Sequence, residues 1–164
     1  MQKQSANKHL AYVTMLGALA IVLNLFESWF IPPIQFGIRF GLANIITLIT
    51  MELYDVKDVF IVNGLRVVIG GLMRGVIFGA PFWISTGGVI LSTLMIIICH
   101  KAKCSLLFES MMSAIAHTTG QVLVVMFLYH QAGVAALFPL LAITSIATGF
   151  LTGFVSKECL KRIK

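Results

Sequence analysis

The sequence predicts an all-α integral membrane protein, a bundle of about six transmembrane helices forming a single domain over residues 1–164. Three observations predict it. Only 11% of the 164 residues are charged, against about 25% in a soluble domain. With 59% hydrophobic residues and a mean hydropathy of +0.97, there is too little polar surface to coat a water-soluble globule. Apolar runs near the ~20 residues needed to cross a ~30 Å hydrocarbon core recur along the chain, and the basic residues gather in alternate loops.

The apolar segments fall at about 10–26, 38–53, 59–80, 82–100, 106–129 and 134–156. The first follows a polar, basic start and resembles a secretory signal, but no small-x-small site leads into a soluble domain, so it reads as a retained helix. Pro32-Pro33 closes the link to the second segment, which is short unless it includes Arg39; its outer end therefore belongs in a polar interface or inside protein. The charged turn 54–58 separates the second and third segments, and Pro81 separates the third and fourth. The basic turn 100–104 precedes the fifth, and 130–133 links it to the sixth.

With six spans, Lys3, Lys8, Lys57, Lys101, Lys103, Lys157, Lys161, Arg162 and Lys164 all fall on one side. The positive-inside rule makes that side cytoplasmic, which places both termini there in a multi-pass cell-membrane protein. The net charge of +6 thereby reads as topology rather than as a nucleic-acid surface. Cys99, Cys104 and Cys159 have no metal-ligand spacing and lie near segment ends on the same side, where they read as small apolar fillers.

Three arginines remain: Arg39, Arg66 and Arg74. Arg66 sits about eight residues into its segment, ~12 Å deep. A charge near the bilayer centre costs roughly 2.5–3.5 kcal/mol on the insertion scale, and arginine does not shed its proton. It must therefore face the bundle interior and meet a partner. The sequence offers no acidic residue at that depth: five of the six lie near the cytoplasmic ends, and Glu27 lies at the outer end.

Asn63, Arg66, Gly70 and Arg74 share one face of the third segment, with the glycine expected to keep that face open. Glu109, Ser113, His117 and Gln121 form a ladder of four-residue steps on the fifth. Asn44 and Thr47 add polar groups from the second, and Thr144, Thr148 and Thr152 from the sixth.

The functional reading is an outward-open cavity. Its guanidinium groups would fork around carboxylate or phosphate oxygens, and His117 and Gln121 would orient the ligand. The structural alternative has Arg66 bonding helix-end carbonyls or amides, Arg39 and Arg74 snorkelling to the interface, and His117 satisfied in the core. Three Gly-x-x-x-Gly spacings, 37/41, 71/75 and 149/153, permit close helix approach, as does Gly87-Gly88.

No Walker-type phosphate loop, no His/Glu or Cys spacing for a metal, and no paired aspartate motifs occur, so neither an ATPase, a metal site, a cofactor nor an enzyme is expected. Arginines at mid-depth without a ring of carboxylates or carbonyls disfavour a cation channel.

The stretch Pro33-Ile-Gln-Phe-Gly-Ile-Arg-Phe-Gly-Leu-Ala-Asn-Ile45, the pair Leu65-Arg66, Ser85-Thr-Gly-Gly88 and His117-Thr-Thr-Gly-Gln121 together resemble the Gx transporter family, also labelled heptaprenyl diphosphate synthase component I. The resemblance spans about residues 10–130. That family in turn resembles the substrate-binding S components of energy-coupling-factor transporters, which are six-helix proteins that capture a small substrate outside and rely on a transmembrane coupling subunit and ATPases.

The resemblance implies substrate roles for Arg39, Asn44, Arg66, His117 and Gln121. It also implies uptake of a small anionic or amphiphilic molecule across the lipid bilayer. S components typically carry Ala-x-x-x-Ala in the first helix, where this chain has Thr14-x-x-x-Ala18. The synthase label implies the alternative, a non-catalytic accessory subunit in prenyl diphosphate or menaquinone metabolism.

Overall fold

A computed structural model describes residues 6–30 and 42–163. Arg39, the Pro32-Pro33 link and the 37/41 glycine pair lie outside the described residues. The described residues build an all-α bundle of six helices: α1 (Ala6–Phe30), α2 (Leu42–Leu53), α3 (Val56–Met73), α4 (Ala80–Lys101), α5 (Leu106–Tyr129) and α6 (Phe138–Ile163), with a short 3₁₀ turn, Ala132–Leu137, before α6.

Its burial pattern is inverted relative to a soluble protein. Leu72, Phe127 and Ile143 lie more than 60% exposed, while Ser92, Ser110, Ser113 and Ser156 are almost wholly buried. Where lipid bathes the outside, apolar side chains gain little by turning inward, and small polar residues let helices approach. Among the described residues, four stretches are long and apolar enough to cross a membrane: Asn7–Trp29, Ala80–Lys101, Leu106–Tyr129 and Ala132–Ile163.

The remaining two helices differ for identifiable reasons. α3 carries Lys57, Asp58 and Arg66 within 18 residues. α2 has only 12 residues, ~18 Å of helix. Ala43 to Met51 are all buried, and α2 packs against each of the other five helices. A helix walled on every side by protein need not span the hydrocarbon thickness. The outer end of the second segment, expected in a polar interface or inside protein, lies outside the described residues.

Local chemistry sets the helix ends. Asp55 and Asp58 form a reciprocal capping box at the start of α3, and His9 Nε2 lies 3.0 Å from Asp58 Oδ1, fastening α1 to it. α3 ends at Met73, seven residues before the expected end of the third segment at residue 80. The break is made by Gly75 at φ +67° and Phe78 at φ +59° rather than by Pro81. That proline sits in the first turn of α4, where its missing N–H costs nothing.

α4 and α5 touch backbone to backbone. A Cβ on Gly120 would collide with the Gly87 carbonyl. On α6, a Cβ at Gly149 would come within 2.8 Å of Met111 Cα, and Ser110 Oγ donates to the Gly149 carbonyl at 2.7 Å. The 149/153 pair is therefore a packing surface for α5. The 71/75 pair divides its roles: Gly71 makes room for the Phe82 ring, and Gly75 makes the turn.

Candidate functional site

Near the end of the bundle away from Lys57, Lys101 and Lys103, five helices converge on a narrow, partly open cleft. α1 contributes Asn24 and Glu27, α2 Ala43 and Asn44, α3 Arg66, Val67 and Arg74, α4 Ser85 and Val89, and α5 His117. Two guanidiniums against one carboxylate leave the lining with a net positive charge.

Arg66 is 3% exposed, and its Nη1 donates to Asn44 Oδ1 at 3.2 Å. Arg74 follows two turns later at the C-cap of α3. Its Nε donates to the Gly70 carbonyl at 2.9 Å, and its Nη1 reaches Ser28 Oγ at 3.4 Å. Each guanidinium thus spends part of its donor fork on protein. His117 rests on Gly88, where a Cβ would come within 2.8 Å of the imidazole Cε1. The glycine is the seat of the ring.

Of the seven candidate residues read from the sequence, Arg66, Arg74, Asn44 and His117 line this cleft. Gln121 is buried one turn beyond His117 and packs on Gly88 instead. Asn63 lies deeper. It accepts from Thr47 Oγ1 at 2.8 Å through Oδ1 and donates to Thr93 Oγ1 at 2.8 Å through Nδ2, tying α2, α3 and α4 into a buried polar layer. Arg39 is outside the described residues.

Two expectations are corrected. The expectation that no acidic residue reaches Arg66 fails at Glu27, which lies at the outer end of α1 yet is 3% exposed and lines the same cleft. Gly70 does not leave its face open. Asn24 fills the space, its Oδ1 lying 3.0 Å from where a Cβ would stand, so the glycine admits α1 rather than a ligand.

Asn24 and Glu27 were missed although their i, i+3 spacing in an apolar helix is the signal of a shared polar face. Ser85 was visible only within the Ser85-Thr-Gly-Gly88 motif.

A second polar centre lies at the lysine-rich end. Glu52 of α2, His100 of α4 and Glu109 of α5 bring ligand atoms within 4.8 Å of one another. Three different helices supply them, so no spacing along the chain announces the group.

The family model described as heptaprenyl diphosphate synthase component I matches residues 16–159. The chain belongs to that family. Comparison with curated proteins and with solved structures finds no match. The component I match covers both polar centres and all the described cleft residues, so the cleft is part of the family's own domain.

Proposed function

We propose that this component I protein is a substrate-binding membrane subunit for a small anionic or amphiphilic molecule, held in the cleft between α1 and α5. The observation that carries the reading is the pairing of two arginines with a buried, mixed lining. Arg66 and Arg74 supply forked donors for carboxylate or phosphate oxygens. Glu27 moderates their charge and offers an acceptor for a ligand hydroxyl or amine. Ala43, Val67 and Val89 give an apolar wall for a hydrocarbon portion.

The lysine-rich end faces the cytoplasm by the positive-inside rule, so the cleft faces the opposite side. Uptake then needs energy from outside the chain: a transmembrane coupling subunit and ATPases acting in trans are the partners this reading calls for.

A second reading is favoured by the family's description. A component of a prenyl diphosphate synthase would serve as a non-catalytic accessory subunit, and a diphosphate joined to an isoprenoid tail suits the same arginines and apolar wall. Under it the partner is a cytoplasmic enzyme and no uptake occurs.

Native mass spectrometry of gently purified protein beside Arg66→Ala tests the site. One small molecule per wild-type chain, absent from a folded variant, is the expected result, and its mass distinguishes a prenyl diphosphate from a solute. An empty wild type, or equal retention by both proteins, would sink the proposal. Uptake by whole cells, present or absent, then separates the two readings.

A further inference from the structure

The proposed function leaves the second polar centre unused. His100 Nδ1 lies 3.7 Å from Glu52 Oε1 and 3.7 Å from Glu109 Oε2. Both distances are too long for a hydrogen bond. Glu109 is only 1% exposed, and its second oxygen, Oε1, is buried without a hydrogen-bond partner. A carboxylate oxygen left in that state carries a full desolvation cost. Lys101 and Lys103 project into solvent from the adjacent turn, and neither makes an ion pair with the group among the described residues.

We propose that Glu52, His100 and Glu109 hold one divalent transition-metal ion, of the Zn²⁺ or Mn²⁺ class, at the lysine-rich end of the bundle. One imidazole nitrogen and two carboxylate oxygens suit that class, whereas Mg²⁺ prefers oxygen ligands alone. Neighbouring ligands of a tetrahedral ion with bonds of about 2.1 Å stand about 3.4 Å apart. The two His100 distances of 3.7 Å need a contraction of only a few tenths of an ångström. The two carboxylates, within 4.8 Å of each other, need one of at most about 1.4 Å, within reach of side-chain rotation at the partly exposed Glu52.

The ion would neutralise the two carboxylates and engage Glu109 where water does not reach. Glu52 and His100 side chains are 27% and 37% exposed, which gives the ion a path from solvent and leaves room for water on its open side. The ion would also cross-link α2 to the α4–α5 pair.

The test uses tag-free protein in detergent, stripped with a chelator and titrated with ZnCl₂ by calorimetry. Co²⁺ serves as a second probe through its visible absorption. Wild type is expected to take one Zn²⁺ at a saturable site. Glu109→Gln and His100→Gln are each expected to weaken it at least 100-fold and to abolish the Co²⁺ band.

Should Glu109→Gln fail to fold, Glu52→Gln and His100→Gln, at partly exposed positions, carry the same expectation. A wild type with no saturable site, or variants that bind as wild type does, overturns the proposal. In that case His100 and the two glutamates form an ion pair only. Because the readout is metal binding at the far end from the cleft, it is independent of whether the cleft holds a ligand.

Discussion

The bundle contains two polar centres of opposite character. At one end, Arg66 and Arg74 outnumber Glu27. At the other, Glu52 and Glu109 face a single imidazole. The same two helices connect them with the same offset: Asn44 and Glu52 on α2, His117 and Glu109 on α5, each pair eight residues, or ~12 Å, apart. Between them the Thr47–Asn63–Thr93 layer pairs polar group with polar group. The difference shows how one small bundle keeps a cationic and an anionic centre in low dielectric: it separates them by a satisfied layer instead of letting them neutralise each other.

The largest expected effect breaks one centre and spares the other. Arg66→Ala removes charge-assisted hydrogen bonds, at about 1.5–3 kcal/mol. Ligand retention in the cleft should fall roughly 10–150-fold, while Zn²⁺ titration changes less than about twofold. Simultaneous loss of both would show a single coupled system and would overturn the separation.

Next comes the α4–α5 contact, which both centres share. Gly120→Ala drives a methyl into the Gly87 carbonyl and should cost about 1–3 kcal/mol in thermal unfolding. At Gly64 nothing lies within 4 Å of an added Cβ, so Gly64→Ala should gain up to about 1 kcal/mol from helix propensity. Equal behaviour of the two variants would contradict the close contact.

Asn63→Leu attacks the separating layer. It strands the Thr47 hydroxyl, while that of Thr93 keeps its bond to the Val89 carbonyl, and should lower stability by about 1–2 kcal/mol, with Zn²⁺ binding kept within about threefold. Arg74→Gln is the mildest change. Arg74 is only half buried, so cleft affinity should fall roughly two- to fivefold, about 0.5–1 kcal/mol, with no change at the metal end.

The sequence made the fold class legible because membrane solvation imposes long apolar runs and places lysines on one side; both are one-dimensional signals. Arg66 stood out for the same reason, since a charge amid Ile61–Gly71 has no cheap explanation. Glu27 was harder to place, because hydropathy along α1 does not say how its depth compares with that of Arg66 on α3. Asn63 and Gln121 share faces with true lining residues, and periodicity alone gives direction around a helix without saying which neighbour stands opposite. The Glu52–His100–Glu109 group was invisible because its members are 48 and 9 positions apart, and only the packing of α2 beside the α4–α5 hairpin joins them.

The walls of α2 also bear on how the protein is made. Four of its five neighbours, α3, α4, α5 and α6, are synthesised after it. A ribosome that has just completed Leu53 still has about 110 residues to add before α6 ends at Ile163, roughly 5–22 seconds of elongation. During that interval a 12-residue helix bearing Asn44, Thr47 and Thr50, too short to span lipid, waits for most of its enclosure. The insertion machinery or the first helix must shelter it until the later hairpin arrives.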